Sequence, residues 1–186
     1  MKYEPIIDDY SRMIREFFSL KCKIFEEVVR VSSQCLKEGK KIMAFGNGGS
    51  AAQAQHFAAE LVNKFLKLRP ALRAISLTTD TSALTSIGND ISFDSVFSRQ
   101  IEALGDRGDV ALGISTSGNS KNVVEAFLKA KTIGIVTVAF TGEGGGRLAQ
   151  SADYLLDVPS KSTPRIQEAH LFLLHLLAQE IEERLS

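Results

Sequence analysis

The feature that most constrains this chain is a repeated local pattern: a short apolar run, a loop of glycine, serine or asparagine, then a segment with helical spacing. Lys41-Ile-Met-Ala-Phe45 ends in Gly46-Asn-Gly-Gly-Ser50 and passes into an alanine-rich helical segment reaching about residue 65. Arg73-Ala-Ile-Ser-Leu77 repeats the strand signal, with a short helix over 79–86 after it. Asp109-Val-Ala-Leu-Gly-Ile-Ser115 is the clearest strand; it ends in Thr116-Ser-Gly-Asn-Ser120 and enters a helix over 120–131. Gly134-Ile-Val-Thr-Val-Ala-Phe140, closed by Gly142 and Gly144-Gly-Gly146, and Ala152-Asp-Tyr-Leu-Leu-Asp-Val158 complete the set. Parallel strands need long crossovers, and helices supply them while covering both faces of the sheet. Five such runs alternating with helices therefore predict an α/β fold: a three-layer αβα sandwich on a five-stranded parallel sheet.

The two ends of the chain are helical. Over the first forty residues apolar positions recur at threes and fours (Ile14, Phe17, Phe18, Cys22, Phe25, Val28, Val29) with lysine and glutamate between them. A long terminal helix runs over 163–185, with Pro164 in its first turn. No linker or composition shift divides the chain, so a single domain over 1–186 is expected, with an N-terminal helical arm over 1–40. The arm and the apolar terminal helix together carry more apolar face than one small domain covers, which points to a homo-oligomer.

Charge narrows the function. Lysine plus arginine and aspartate plus glutamate number 22 each, so no positive field is available to hold nucleic acid. An anionic ligand must instead be gripped locally, by loops and helix ends. Cys22 and Cys35 lack Cys-x-x-Cys spacing and read as ordinary thiols in a reducing compartment. The opening Met-Lys-Tyr-Glu-Pro has no signal-peptide core, and the longest apolar stretch, 171–178, is too short to span a bilayer. A cytoplasmic location without membrane insertion is the expectation.

Open α/β sheets bind ligands beyond the carboxyl ends of their strands. Two such ends carry similar loops here, Phe45-Gly-Asn-Gly-Gly-Ser50 and Ser115-Thr-Ser-Gly-Asn-Ser120, each just before a helix N-terminus, where free N–H groups and the positive dipole end favour an anion. Ordinary capping accounts for one hydroxyl. The second loop supplies four, on Ser115, Thr116, Ser117 and Ser120, which suits a monophosphate. The first loop also fits Gly-x-Gly-x-x-Ala, but the strand that follows ends in Leu77-Thr-Thr79 without the acid a dinucleotide ribose requires. Nicotinamide binding is disfavoured.

His56 and Glu60 stand four apart in a helical segment, which sets an imidazole and a carboxylate on one face. Such a pair binds zinc, shares a proton, or is a plain surface contact. In the terminal helix His175 lies on an apolar stripe, as a core histidine or a buried site would, and His170 and His175 both lie within about a quarter-turn of the face of Gln167. Spacing alone leaves the choice between them open.

Gly46-Asn-Gly-Gly-Ser-Ala-Ala52, Gln55-His-Phe-Ala-Ala-Glu-Leu61, Thr78-Thr-Asp-Thr-Ser-Ala-Leu-Thr85, Ile87-Gly-Asn-Asp90, Gly113-Ile-Ser-Thr-Ser-Gly-Asn-Ser120 and Arg165-Ile-Gln-Glu168 together resemble the bacterial phosphoheptose isomerases, in order and over nearly the whole chain. The resemblance implies a flavodoxin-like sugar-isomerase (SIS) fold and interconversion of sedoheptulose 7-phosphate with D-glycero-D-manno-heptose 7-phosphate. That reaction opens the route to the heptose of lipopolysaccharide or related surface sugars. It implies cytoplasmic tetramers with active sites between subunits. It further implies one zinc ion held by His56, Glu60, Gln167 and His175, an acid–base pair of Glu60 and His175, and sugar-phosphate contacts from Asn47, Gly48, Gly49, Glu60, Arg69, Asn89, Asp90, Ser115, Thr116, Ser117, Ser120 and Gln167.

The chain departs from the family pattern in two places. Gln53 stands where aspartate is common, and Ile91-Ser92 where Tyr-Gly is common. The rival readings are a non-catalytic sugar-phosphate sensor or replication-initiator partner of the same superfamily, and a related isomerase for another sugar phosphate. Relatives that bind without catalysis tend to lack the acid and the late histidine. Both are present here, as Glu60 and His175.

Overall fold

The computed structural model describes all residues, 1–186. Its elements run α1 (Glu4–Lys37), β1 (Ile42–Gly46), α2 (Gly49–Val62), β2 (Ala74–Ser76), α3 (Thr81–Asp90), α4 (Ser98–Leu104), β3 (Val110–Ser115), α5 (Lys121–Ile133), β4 (Val136–Thr141), β5 (Tyr154–Asp157) and α6 (Thr163–Leu185), with short 3-10 turns at Phe93–Ser95 and Gly146–Gln150. All five strands are parallel, in the order β2-β1-β3-β4-β5. The α/β sandwich expected from the sequence is the fold observed.

Two differences have local causes. The short helix expected over 79–86 begins and ends later, because Asp80 serves as its N-cap, its Oδ1 accepting from the amide of Ala83 at 2.9 Å. Helix α4 has no counterpart among the sequence expectations. At seven residues it is too short to show a hydrophobic period, and it is held by the buried Gln100 amide, which donates to the carbonyls of Leu77 and Val96.

Strand side chains alternate between two cores, as a two-residue period demands. Ile42 and Ala44, Leu112 and Ile114, Val138 and Phe140 face one apolar cluster with α1, α2 and α6. Met43, Phe45, Ala111 and Ala139 face the other, with Ile101 of α4 and Phe127 of α5. From Met13 onward α1 contributes to the first cluster through Phe17, Phe25, Val28 and Val29, whereas residues 1–9 are exposed throughout. The chain leaves β1 toward β2 but returns past it to β3 and on to β5, so β1 and β3 are neighbours at which strand order reverses. A crevice between diverging loops forms at such a point.

Candidate active site

The two loops predicted to grip an anion meet at this reversal. Asn47, after β1, and Asn122, in the first turn of α5, exchange two amide hydrogen bonds of 2.9 Å each and tie the loops together. Gly48 caps α2, exposed, and Gly49 begins it. In the serine loop the hydroxyls of Ser115 and Ser120 lie 2.9 Å apart, and Ser117 Oγ accepts from the amide of Asn119 at 3.1 Å. Backbone hydrogen bonding within α5 starts with Val123, which leaves the amides of Lys121 and Asn122 free at the positive end of the helix. Beside this loop, Thr116, Ser117, Glu143, Ser160, Lys161 and Thr163 line a cleft of about 220 Å³, with Lys161 and Glu143 paired at 3.5 Å.

The connection after β4 braces the serine loop. Gly142 N donates to Thr116 O at 2.9 Å, Leu148 N to Gly118 O at 3.0 Å, and Arg147 N to Asn119 Oδ1 at 3.0 Å. Gly118 sits at φ +64°, and a Cβ there would stand 2.0 Å from the carbonyl oxygen of Gly145.

Helices α2 and α6 run side by side in the same direction, and their seam carries the titratable residues. Gly49 touches the Gln167 side chain so closely that a Cβ would lie 2.7 Å from its Nε2. One turn on, Gln53 Nε2 donates to the Gln167 carbonyl at 2.7 Å. The next turn brings His56 Nε2 to 3.1 Å from His175 Nε2 and 2.9 Å from Glu60 Oε1. His175 is half-buried, and the aromatic ring of Phe65 lies 5.7 Å from its imidazole at 36°.

The structure separates the two histidines that helical spacing left together. His170 is fully buried, its Nε2 3.0 Å from the carbonyl of Thr141, and burial pushes its pKa down to about 4, against that one backbone hydrogen bond. It is the core histidine; His175 is the one facing His56.

Three predicted contacts lie elsewhere in the chain. Asn89 and Asp90 are exposed at the end of α3, with Asn89 Nδ2 on Asp90 Oδ1 at 2.8 Å. Arg69 is turned inward, its side chain 2% exposed. Its Nη2 donates to Glu60 O and its Nη1 to Leu61 O, both at 2.9 Å, while Nε lies 3.2 Å from Glu182. Within its own chain the Arg69 guanidinium is therefore occupied, and a substrate would have to displace these partners to reach it.

Sequence reasoning did not find Asn122 or Phe65. Asn122 had a signal, a polar amide in the first turn after the serine loop. Phe65 had none, because its role depends on how α2 meets α6.

The donor set suits a divalent cation. Two imidazole nitrogens and a carboxylate oxygen, on His56, Glu60 and His175, lie within 4.8 Å of one another. Nitrogen and oxygen donors around tetrahedral zinc, with bonds near 2.0–2.1 Å, stand about 3.3 Å apart; the spacings from His56 Nε2 to Glu60 Oε1 and to His175 Nε2 are 2.9 and 3.1 Å. Gln167 enters the same seam two turns before His175.

The sequence profile of the SIS domain matches residues 7–142. The phosphoheptose isomerase of Desulfovibrio desulfuricans is 54% identical over 171 residues, covering 92% of this chain and 81% of the relative. That of Aquifex aeolicus is 50% identical over 182 residues, covering 98% and 95%. The solved phosphoheptose isomerase of Neisseria gonorrhoeae superposes with a TM-score of 0.90 at 44% identity, covering 98% of this chain and 97% of that one. Family profile, full-length sequence similarity and superposition agree: the chain belongs to the SIS-domain phosphoheptose isomerases.

Proposed function

We propose that this chain converts sedoheptulose 7-phosphate to D-glycero-D-manno-heptose 7-phosphate. The observation that carries the reading is the seam itself. A neutral anion grip at the β1–β3 reversal continues along α2 into a cluster of two imidazoles and a carboxylate. His56 lies seven residues beyond Gly49, about 10 Å along the helix. An open-chain sugar phosphate of seven carbons is long enough to join the two ends. The Ser115, Thr116, Ser117 and Ser120 hydroxyls and the free α5 amides hold the phosphate, and Asn47, Gly48 and Gly49 line its path. Binding energy gathered there fixes the reacting carbons.

Isomerisation moves a proton between adjacent carbons. One of the pair Glu60 and His175 takes the C1 proton while the C2 oxygen is protonated, which gives an enediol. C2 then takes up a proton as the O1 proton leaves. A carboxylate and an imidazole on facing helices serve as base and acid. His56, Glu60, Gln167 and His175 would hold one zinc ion, which supplies Lewis-acid polarisation of the sugar oxygens when bound. Metal binding and base strength compete at Glu60, so a Glu60 that acts as the base would be a weak ligand or the ion would serve a more structural part. Gln53 replaces the usual acid and fastens the Gln167 backbone instead. No helix is long and apolar enough to cross a membrane. The likeness to phosphoheptose isomerases supports the further reading of a cytoplasmic homotetramer that feeds heptose to lipopolysaccharide or other surface sugars. The names of the relatives favour the isomerase over a non-catalytic sugar-phosphate binder.

The deciding assay is turnover of sedoheptulose 7-phosphate by metal-stripped and zinc-restored protein, beside Glu60→Gln and His175→Gln. Zinc-dependent turnover should fall by about 100-fold or more in each variant, with sugar-phosphate binding retained. Full turnover in either variant would remove that residue from the acid–base pair.

A further inference from the structure

The strongest unassigned feature is a buried carboxylate at the far end of the α2–α6 seam. Glu182 lies on α6 seven residues after His175, two turns along the same face, and its side chain is 2% exposed. It accepts from three consecutive amides, those of Phe65 at 3.0 Å and of Leu66 and Lys67 at 2.8 Å each. The Arg69 guanidinium adds an ion pair of 3.2 Å. A carboxylate this buried is stable only with its lone pairs filled, and here they are filled by a single short segment.

That segment joins the two reactive residues. Through Arg69, the clamp grips the carbonyls of Glu60 and Leu61 at the end of α2. Through the amide of Phe65, it fixes the ring that packs on His175, at a separation normal for aromatic pairs. One carboxylate on α6 therefore sets both the end of the helix bearing Glu60 and the wall against which His175 rests.

We infer that Glu182, acting through Phe65 and Arg69, is a positioning residue that holds His175 and Glu60 in register across the two helices. The inference rests on the acid–base reading above. A purely structural ion pair would leave the Phe65 ring free of consequence for turnover, and that difference is measurable.

The test uses zinc-loaded protein with sedoheptulose 7-phosphate, comparing Phe65→Leu, Phe65→Tyr, Glu182→Gln, the Phe65→Leu/Glu182→Gln double variant and His175→Gln. Phe65→Leu should lower kcat roughly tenfold with KM within about twofold and the melting temperature nearly unchanged. Phe65→Tyr, which keeps the ring, should restore most of the lost kcat. Glu182→Gln should lose kcat at least as far, and the double variant should be no worse than Glu182→Gln, because both act through one path. Wild-type kcat in folded Phe65→Leu, a loss that Phe65→Tyr leaves unrepaired, or losses that multiply in the double variant would each overturn the clamp. If Glu182→Gln folds poorly, the Phe65 pair still overturns the clamp when folded Phe65→Leu keeps wild-type kcat. If His175→Gln retains turnover, the acid–base reading itself fails. If it is inactive while Phe65→Leu is fully active, only the clamp fails.

Discussion

His170 and His175 share one helix and differ in everything that decides a histidine's chemistry. His170 is sealed behind the sheet, its Nε2–H donating to Thr141 O, and its Nδ1 has no partner. Burial lowers its pKa from 6.5 to about 4, so the folded state holds it neutral. Between those values the unfolded chain binds the proton and the folded chain does not, and stability therefore rises with pH across that window. Below pH 4 the full penalty is about 3 kcal/mol, from the size of the shift. His170→Gln retains an amide able to reach Thr141 O and has no proton to gain. Chemical denaturation from pH 4 to 6.5 should show a flatter dependence in this variant than in the parent; equal slopes would mean that His170 is not held neutral. Gly49 offers a second test at the residue scale. A methyl group there would meet Gln167 Nε2 at 2.7 Å and must push the amide aside. Gly49→Ala should weaken zinc binding and turnover together, measured by competition with a chelator, while the melting temperature moves little.

At the scale of elements, the strands were legible because each is a short apolar run closed by a loop, and because burial on both faces leaves a run continuous. Helix α4 was not legible, since seven residues cannot display a period and its anchor, Gln100, is polar. The His56–Glu60 pair could be read from spacing within α2. Its partner on α6 could not, because which histidine faces α2 depends on a parallel helix register that no local pattern encodes; family resemblance supplied it, and the geometry separates His175 from His170 independently. The braced serine loop belongs to this scale as well. Gly118→Ala combines φ +64° with a 2.0 Å approach to Gly145 O, so the loop and the turn over 142–146 must separate. That should cost roughly 1–3 kcal/mol of stability and raise KM for the sugar phosphate more than it lowers kcat. A lowered kcat with unchanged KM would detach this loop from phosphate binding.

At the scale of the whole molecule, apolar surface remains uncovered along α1 and α6. Ile6 and Ile7 on the projecting start of α1 are 50% and 53% exposed, Leu20 is 65% exposed, and Phe172 is 41% exposed. A groove of about 390 Å³ runs between α1 and α6, lined by Phe18, Cys22, Phe25, Val29 and Leu176 and rimmed by the charged Glu26, Glu27, Arg30, Glu180 and Arg184, and Tyr10, Leu171 and Phe172 form an apolar wall beside His175. Water at such faces is costly, and a second copy of the chain presents the same apolar face for mutual burial. Asn89, Asp90 and Arg69, which the single chain keeps apart from the seam or internally engaged, are where an assembled neighbour would change the picture. Leu20→Glu places a charge in the middle of the exposed face of α1 without touching the seam. Light scattering should give about four times the 20.3 kDa chain mass for the parent and a smaller species for the variant. Turnover per chain should fall with the mass if neighbours help to close the site. A parent protein that runs at the mass of one chain and still turns over substrate would refute the tetramer and show that the α2–α6 seam is sufficient by itself.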